Sequence, residues 1–322
     1  MRIVWMLAAG ALVLGGCHKL MAPTVAPAGA LRVAAVEDPA KVELGFRLFF
    51  EPMLSAGNKM SCASCHEPGR GFSNGEPTAL GVAGQRGNRN VPTILAVGKN
   101  PYFFWDGRAA TLEEQALGPI QNPIEMNAKL DDVVAKLAAS KDYPPRFQAA
   151  FGTGVDAPGI AKAIAAFERA LTLEPSPFDR GDLTPAQQRG RELFNGRGNC
   201  KMCHKGPNFT DTNFHTTGVG LDRPNPDAGR MAISKKRFDY NAFKTPTLRN
   251  IEQTAPYMHD GSLATLEEVV DYYDKGGNPN PLVDPEIVPL GLNAQEKADL
   301  VAFMKALTSP GTNIKEIAHS RP

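Results

Sequence analysis

The chain has little of what usually advertises a function. Of its 322 residues only five are cysteine, six histidine and two tryptophan, and aromatics make up 7%. Neither sign of charge dominates: 35 Lys and Arg stand against 34 Asp and Glu. That balance lacks the basic footprint of a nucleic-acid binder. Beyond the first twenty residues no stretch is apolar enough to cross a bilayer. What the chain does have is proline and glycine, 27 and 31 residues, which point to long loops. Its length allows two domains with cores of their own.

The N-terminus, MRIVWMLAAGALVLGGCHKL, carries one arginine, an apolar run too short for a typical membrane span, and then Leu14-Gly15-Gly16-Cys17. It reads as a signal peptide over residues 1–16. Small residues before a cysteine resemble a bacterial lipobox, with Cys17 as the lipidated first residue. Residues 17–36, rich in Ala and Pro, then form a flexible tether. An ordinary signal peptide with an incidental cysteine is the alternative. Either way the protein is exported, and a periplasmic location with a lipid anchor is expected.

A repeat organises the rest. WDGRAATLEE, from Trp105 to Glu114, returns as HDGSLATLEE, from His259 to Glu268. The same offset of 154 residues aligns Pro92-Thr93 with Pro246-Thr247. Further upstream, insertions shift the register but the landmarks persist: Leu48-Phe49 and Leu193-Phe194, then Cys62-Ala63-Ser64-Cys65-His66 and Cys200-Lys201-Met202-Cys203-His204, then Phe72 and Phe209. A self-match over about half a chain is an internal duplication.

C-x-x-C-H is the attachment signature of c-type haem. Two thiols add to the haem vinyl groups and the adjacent histidine becomes an iron ligand, so Cys62, Cys65, Cys200 and Cys203 hold two covalent haems, with His66 and His204 on the irons. No cysteine remains for a disulfide. A redox C-x-x-C does not require the following histidine, and a zinc site needs more ligands than His215, His259, His319 and His18 supply. Around the motifs the pattern is helical. Pro158 to Leu173 sets Ile160, Ile164, Phe167 and Leu171 on one stripe. Thr184 with Gln187 is a capping box with proline at the first helical position. Asn293 with Glu296 caps a last helix carrying Leu300, Phe303, Met304 and Leu307. The expected fold is mainly α: two duplicated cytochrome c domains, residues 37–175 and 176–308, each wrapped round one haem, with a tail over 309–322.

On both haem motifs, Arg89-Asn90-x-Pro92-Thr93, Trp105-Asp106-Gly107-Arg108, Gln115-Ala116-x-Gly118-Pro119, Glu125-Met126 and Thr254-Ala255-Pro256-Tyr257-x-His259-Asp260-Gly261, the chain resembles the bacterial dihaem cytochrome c peroxidase family, which includes the MauG-type enzymes. The resemblance covers about residues 37 to 308. It implies a haem peroxidase in which hydrogen peroxide reacts at the first haem. Gln115 and Glu125 match the distal pair, Glu125 moving the proton and Gln115 orienting the peroxide. Trp105 matches the residue that carries charge between the haems. The family's calcium site maps to the Asn90 side chain and the backbone carbonyls of Thr254 and Pro256, hard donors that suit the ion. Arg108 and Arg249 are candidates for haem propionates or for surface charges. His215 and His259 have no role assigned.

Two departures stand out. Conventional peroxidases of the family carry a histidine about sixteen residues after the first haem histidine, which closes the resting iron. Here Val82 stands there, so the first haem is expected to be open at rest. They also carry a methionine fourteen residues past the histidine of the HDG motif, where this chain has Tyr273, the MauG-type choice. The repeat maps Tyr273 onto Pro119, in the distal wall of the first haem. Tyr272, Met258 and Met304 are the other candidates for that ligand. The expected electron source is a periplasmic cytochrome c or cupredoxin. The rivals are a MauG-type oxidase acting on a protein side chain and a plain electron-transfer cytochrome.

Overall fold

In the computed structural model residues 37–278 and 280–319 are described. The expected signal peptide, Cys17 and the expected tether lie outside them. In the first half, α1 (Pro39–Phe49), α2 (Leu112–Gln121), α3 (Leu130–Ala139), α4 (Tyr143–Phe151) and α5 (Ala157–Ala170) surround a core of Leu44, Leu48, Ile120, Leu137, Phe147, Ile160 and Ile164. In the second, α6 (Pro177–Arg180) and α7 (Pro185–Asn195) lead to β1 (Phe214–His215), α8 (Met231–Ser234) and β2 (Phe243–Lys244). Then come α9 (Leu266–Asp274), α10 (Ala294–Lys305) and α11 (Ile314–His319). Phe194, Phe209, Leu266, Leu300, Phe303 and Leu307 form the core there. β1 and β2 pair antiparallel.

The stop and start signals act where the chemistry puts them. Asp156 caps α5 through the Gly159 amide at 2.7 Å. Thr184 and Gln187 close a capping box on α7, and Asn293 and Glu296 close one on α10. The α5 stripe is buried as the spacing predicts, although the helix ends at Ala170 and Leu171 is already extended.

The duplication is visible at the helix crossings. α1 packs on α5, and α7 on α10. A Cβ at Gly45 would overlap the Ala163 carbonyl, and one at Gly190 the Asp299 carbonyl. Each glycine therefore lets two helix backbones touch, three residues before a Leu-Phe pair. The phenylalanines that follow meet their partners alike: Phe49 and Phe167 at 5.1 Å, Phe194 and Phe303 at 5.2 Å between centroids.

α10 is not the last helix. The chain returns after it: Leu173 and Thr312 form a bridge, α11 packs on α1, and Ile317 joins the cluster of Phe49, Phe72 and Leu95 in the first half. Six residues are too few to display a helical period, so the sequence pattern did not mark α11.

Candidate active site

Each C-x-x-C-H motif begins with a single 3-10 turn, Cys62–Ser64 and Cys200–Met202, which brings both sulfurs and the imidazole to one rim of a cavity. His66 Nδ1 meets the Phe72 carbonyl at 3.0 Å, and His204 Nδ1 meets the Phe209 carbonyl at 2.9 Å. Both phenylalanines adopt positive φ, 58° and 51°, which turns those carbonyls inward. With Nδ1 protonated and donating there, Nε2 is left free to bind a metal. Burial lowers the pKa of both histidines, which favours the neutral form a metal needs.

The first cavity, about 510 Å³, is lined by Cys62, Cys65, His66, Gln115, Pro119 and Glu125 among others; among the described residues His66 is its only histidine. Gln115 and Pro119 descend from α2, which Thr111 caps through the Glu114 amide. Glu125 Oε1 accepts from Asn122 Nδ2 at 2.9 Å. Burial raises the Glu125 pKa, opposed by Arg108 and Asn122. Val82 donates its backbone N–H to the Glu125 carbonyl at 2.8 Å, so the loop expected to carry a histidine buttresses the acid instead. Arg108 lines this cavity, stacked over Phe104 at 3.5 Å and bonded to Asp106.

The second cavity, about 250 Å³, is lined by Cys200, Cys203, His204, Met258, Tyr273 and Met304, among others. Tyr272 donates its hydroxyl to the Thr217 carbonyl at 2.8 Å and does not line this cavity. Tyr273 keeps a buried phenol whose pKa is raised, first by burial and then by Tyr272. Asn90, Thr254 and Pro256 all line the second cavity, and Asn90 Nδ2 donates to the Glu76 and Pro77 carbonyls. An amide and backbone carbonyls are the donor chemistry calcium takes.

Trp105 lines both cavities and donates Nε1 to the Asn90 carbonyl at 2.9 Å. His259, its counterpart in the repeat, lines only the second. It lies flat on Phe243, 3.7 Å between centroids, and burial lowers its pKa to about 4. The repeated segments also cross-brace the halves. Asn90 N–H donates to the His259 carbonyl and Lys244 N–H to the Trp105 carbonyl, both at 2.8 Å. Residues 90 and 244 are themselves related by the repeat offset, so the brace is reciprocal. Sequence reading missed it because it runs through backbone atoms.

Arg249 is neither a propionate ligand nor a surface charge. It is 2% exposed and forks onto Asp179 at 2.7 and 2.9 Å, with its Nε on the Pro207 carbonyl. His215 sits between Asp284 and Asp211 at 2.5 and 3.1 Å. Cys203, Asp211 and His215 bring their ligand atoms within 4.8 Å of one another, but the C-x-x-C-H motif commits the cysteine to haem attachment.

Residues 39–184 match the family model for dihaem cytochrome c peroxidase, and residues 187–308 match that for cytochrome c. The chain belongs to the dihaem cytochrome c peroxidase/MauG family. It is 40% identical to methylamine utilization protein MauG of Methylorubrum extorquens, over 84% of this chain and 78% of that one. It is 38% identical to cytochrome c551 peroxidase of Nitrosomonas europaea, over 90% and 86%. A solved MauG-like protein associated with microbial copper homeostasis superposes with a TM-score of 0.80 at 35% identity, covering 91% of this chain and 96% of that one. The protein is thus a haem peroxidase-type oxidoreductase built from two cytochrome c domains, and its family implies two haem c groups. Among the described residues no helix is long and apolar enough to cross a membrane.

Proposed function

We propose that the protein reduces hydrogen peroxide at its first cavity and draws the electrons through Trp105 from the second. The observation that carries this is the convergence of Cys62, Cys65, His66, Gln115 and Glu125 on one cavity. The redox chemistry would come from two haem c groups held by Cys62, Cys65 and His66 and by Cys200, Cys203 and His204. Glu125 takes a proton from one peroxide oxygen and returns it to the leaving one. Asn122 fixes its Oε1, so the other oxygen is the one that moves the proton. Gln115 orients the peroxide through its side-chain amide. Trp105, shared by both cavities, carries the charge between them, and Tyr273 would give up its phenol proton to offer a hard anionic donor to the iron of the second haem. Asn90, Thr254 and Pro256 would hold a calcium ion beside the second cavity, which all three line. The chain works in the periplasm, exported by its N-terminal signal and anchored through a lipidated Cys17, and takes electrons from a small cytochrome c or cupredoxin.

A second reading, a MauG-type oxidase drawing electrons from a protein side chain, is favoured by the pair Val82 and Tyr273. One experiment tests the peroxide reading. Fully oxidised holoprotein, mixed with hydrogen peroxide in a stopped-flow spectrometer, should react without prior reduction, because no histidine but His66 lines the first cavity among the described residues. Reaction only after half-reduction would show that another ligand closes that site.

A further inference from the structure

The wall between the cavities is made of residues that line both: Asn90, Pro92, Thr93, Trp105, Lys244 and Pro246 among them. Of these, Lys244 alone carries a charge. Its backbone is fixed twice, by pairing of β2 with β1 and by the bond to the Trp105 carbonyl, so the side chain has a fixed origin. The residue is half-buried, and among the described residues its ammonium has no hydrogen bond or ion pair. Carboxylates do line the cavities, but they are engaged elsewhere. Asp106 is held by Arg89 and Arg108, Glu125 by Asn122 and Glu286 by Asn199. Glu168, on α5, feels Arg169 and Glu113 rather than this lysine. Burial pushes the Lys244 amine down to about 8, as expected of a cation with no counter-charge.

A half-buried ammonium without a partner is costly, and a lysine that lines two cavities expected to hold haem carboxylates points to what completes it. We infer that Lys244 is the counter-ion of a haem propionate at the wall between the two cavities. The inference rests on the haem assignment above. It also gives the repeat a meaning at this wall. The first half places Asn90, a proposed calcium ligand, where the second half places a cation of its own. Each half would then bring positive charge to the haem carboxylates, one by holding an ion and the other by a side chain.

The test uses holoprotein carrying Lys244→Met, with haem content counted by mass spectrometry. Resonance Raman should show a shifted propionate bending band. A spectroelectrochemical titration should show a lower midpoint potential for at least one haem, because a nearby cation favours the reduced state. Lys244→Arg should restore both readings. Two haems attached with unshifted propionate bands in Lys244→Met would overturn the inference, even if a potential moved, since that would be a remote charge effect. Should Lys244→Met fail to mature, Lys244→Gln carries the same test. Absence of covalent haem from the unsubstituted protein would instead sink the haem assignment itself.

Discussion

The two halves agree wherever backbone geometry is needed and differ wherever chemistry is. Both hang a half-buried histidine on the carbonyl of a phenylalanine at positive φ. Both open the repeated decapeptide after a residue at positive φ, Phe104 in one and Met258 in the other. Both cap the following helix with a threonine. Around that shared frame, α2 presents Gln115 and Pro119 where α9 presents Val269 and Tyr273, and all four line their cavities. The first cavity is twice the volume of the second and carries the polar pair; the second offers a phenol. Duplication preserved the cradle and released the lining to change.

The largest effect should come from attacking the cradle. Cys62→Ala with Cys65→Ala should remove one covalent haem and leave the other, and Cys200→Ala with Cys203→Ala should do the converse; intact-mass measurement counts them. Retention of both haems in either double variant would end the two-cradle reading.

The next largest concerns the lining of the first half. Glu125→Gln keeps the side chain's shape but removes the proton carrier, so peroxide cleavage should slow by about 10² to 10⁴-fold. In the unsubstituted protein the rate should fall as pH drops through the Glu125 pKa, which burial raises, because the base is lost on protonation. Stopped-flow rates across pH check both statements. A rate indifferent to the substitution would move Glu125 to a structural role.

A third comparison sits at one position of the repeat, which holds Leu95 in the first half and Arg249 in the second. Leu95 is fully buried, and Arg249 nearly so, over Phe209 and against Asp179. Arg249→Leu would make the halves alike but strand a buried carboxylate, and should cost roughly 3–5 kcal/mol. Chemical denaturation of the holoprotein measures it. Burial alone would raise the Asp179 pKa, but the Arg249 bonds outweigh it and hold it below the ordinary value. The pair therefore contributes fully above an unfolded carboxylate's pKa of about 3.9 and fades as pH falls through the depressed one. In Arg249→Leu that acid-dependent loss should shrink.

The smallest effect is spectroscopic. Tyr273→Met should give the second haem a neutral thioether, raise its potential and leave peroxide binding in the first half intact. An unchanged spectrum in Tyr273→Met, with changes in Met304→Leu instead, would name the wrong ligand.

Much of this was legible in the sequence because it rests on local patterns. C-x-x-C-H, the capping boxes of α7 and α10 and the repeat offset each need only a few neighbouring letters. The offset alone pairs Tyr273 with Pro119. What stayed hidden depends on residues far apart. Arg249 looked free because its partner, Asp179, lies seventy residues away. Gly45 and Gly190 owe their role to carbonyls more than a hundred residues away, at Ala163 and Asp299. The reciprocal bonds of Asn90 and Lys244 leave no side-chain signature, and α11 is too short to have a period.

The return of α11 also sets an order of assembly. A chain made N-terminus first delivers Ile317 only after the whole second half, yet that residue completes a cluster whose other members lie within the first 173 residues or in α11. The first half therefore stays unsealed until the second has been made, and a truncation just after α10 should loosen the distant half more than the adjacent one. The turns of α11 act as the closing stitch of the first domain.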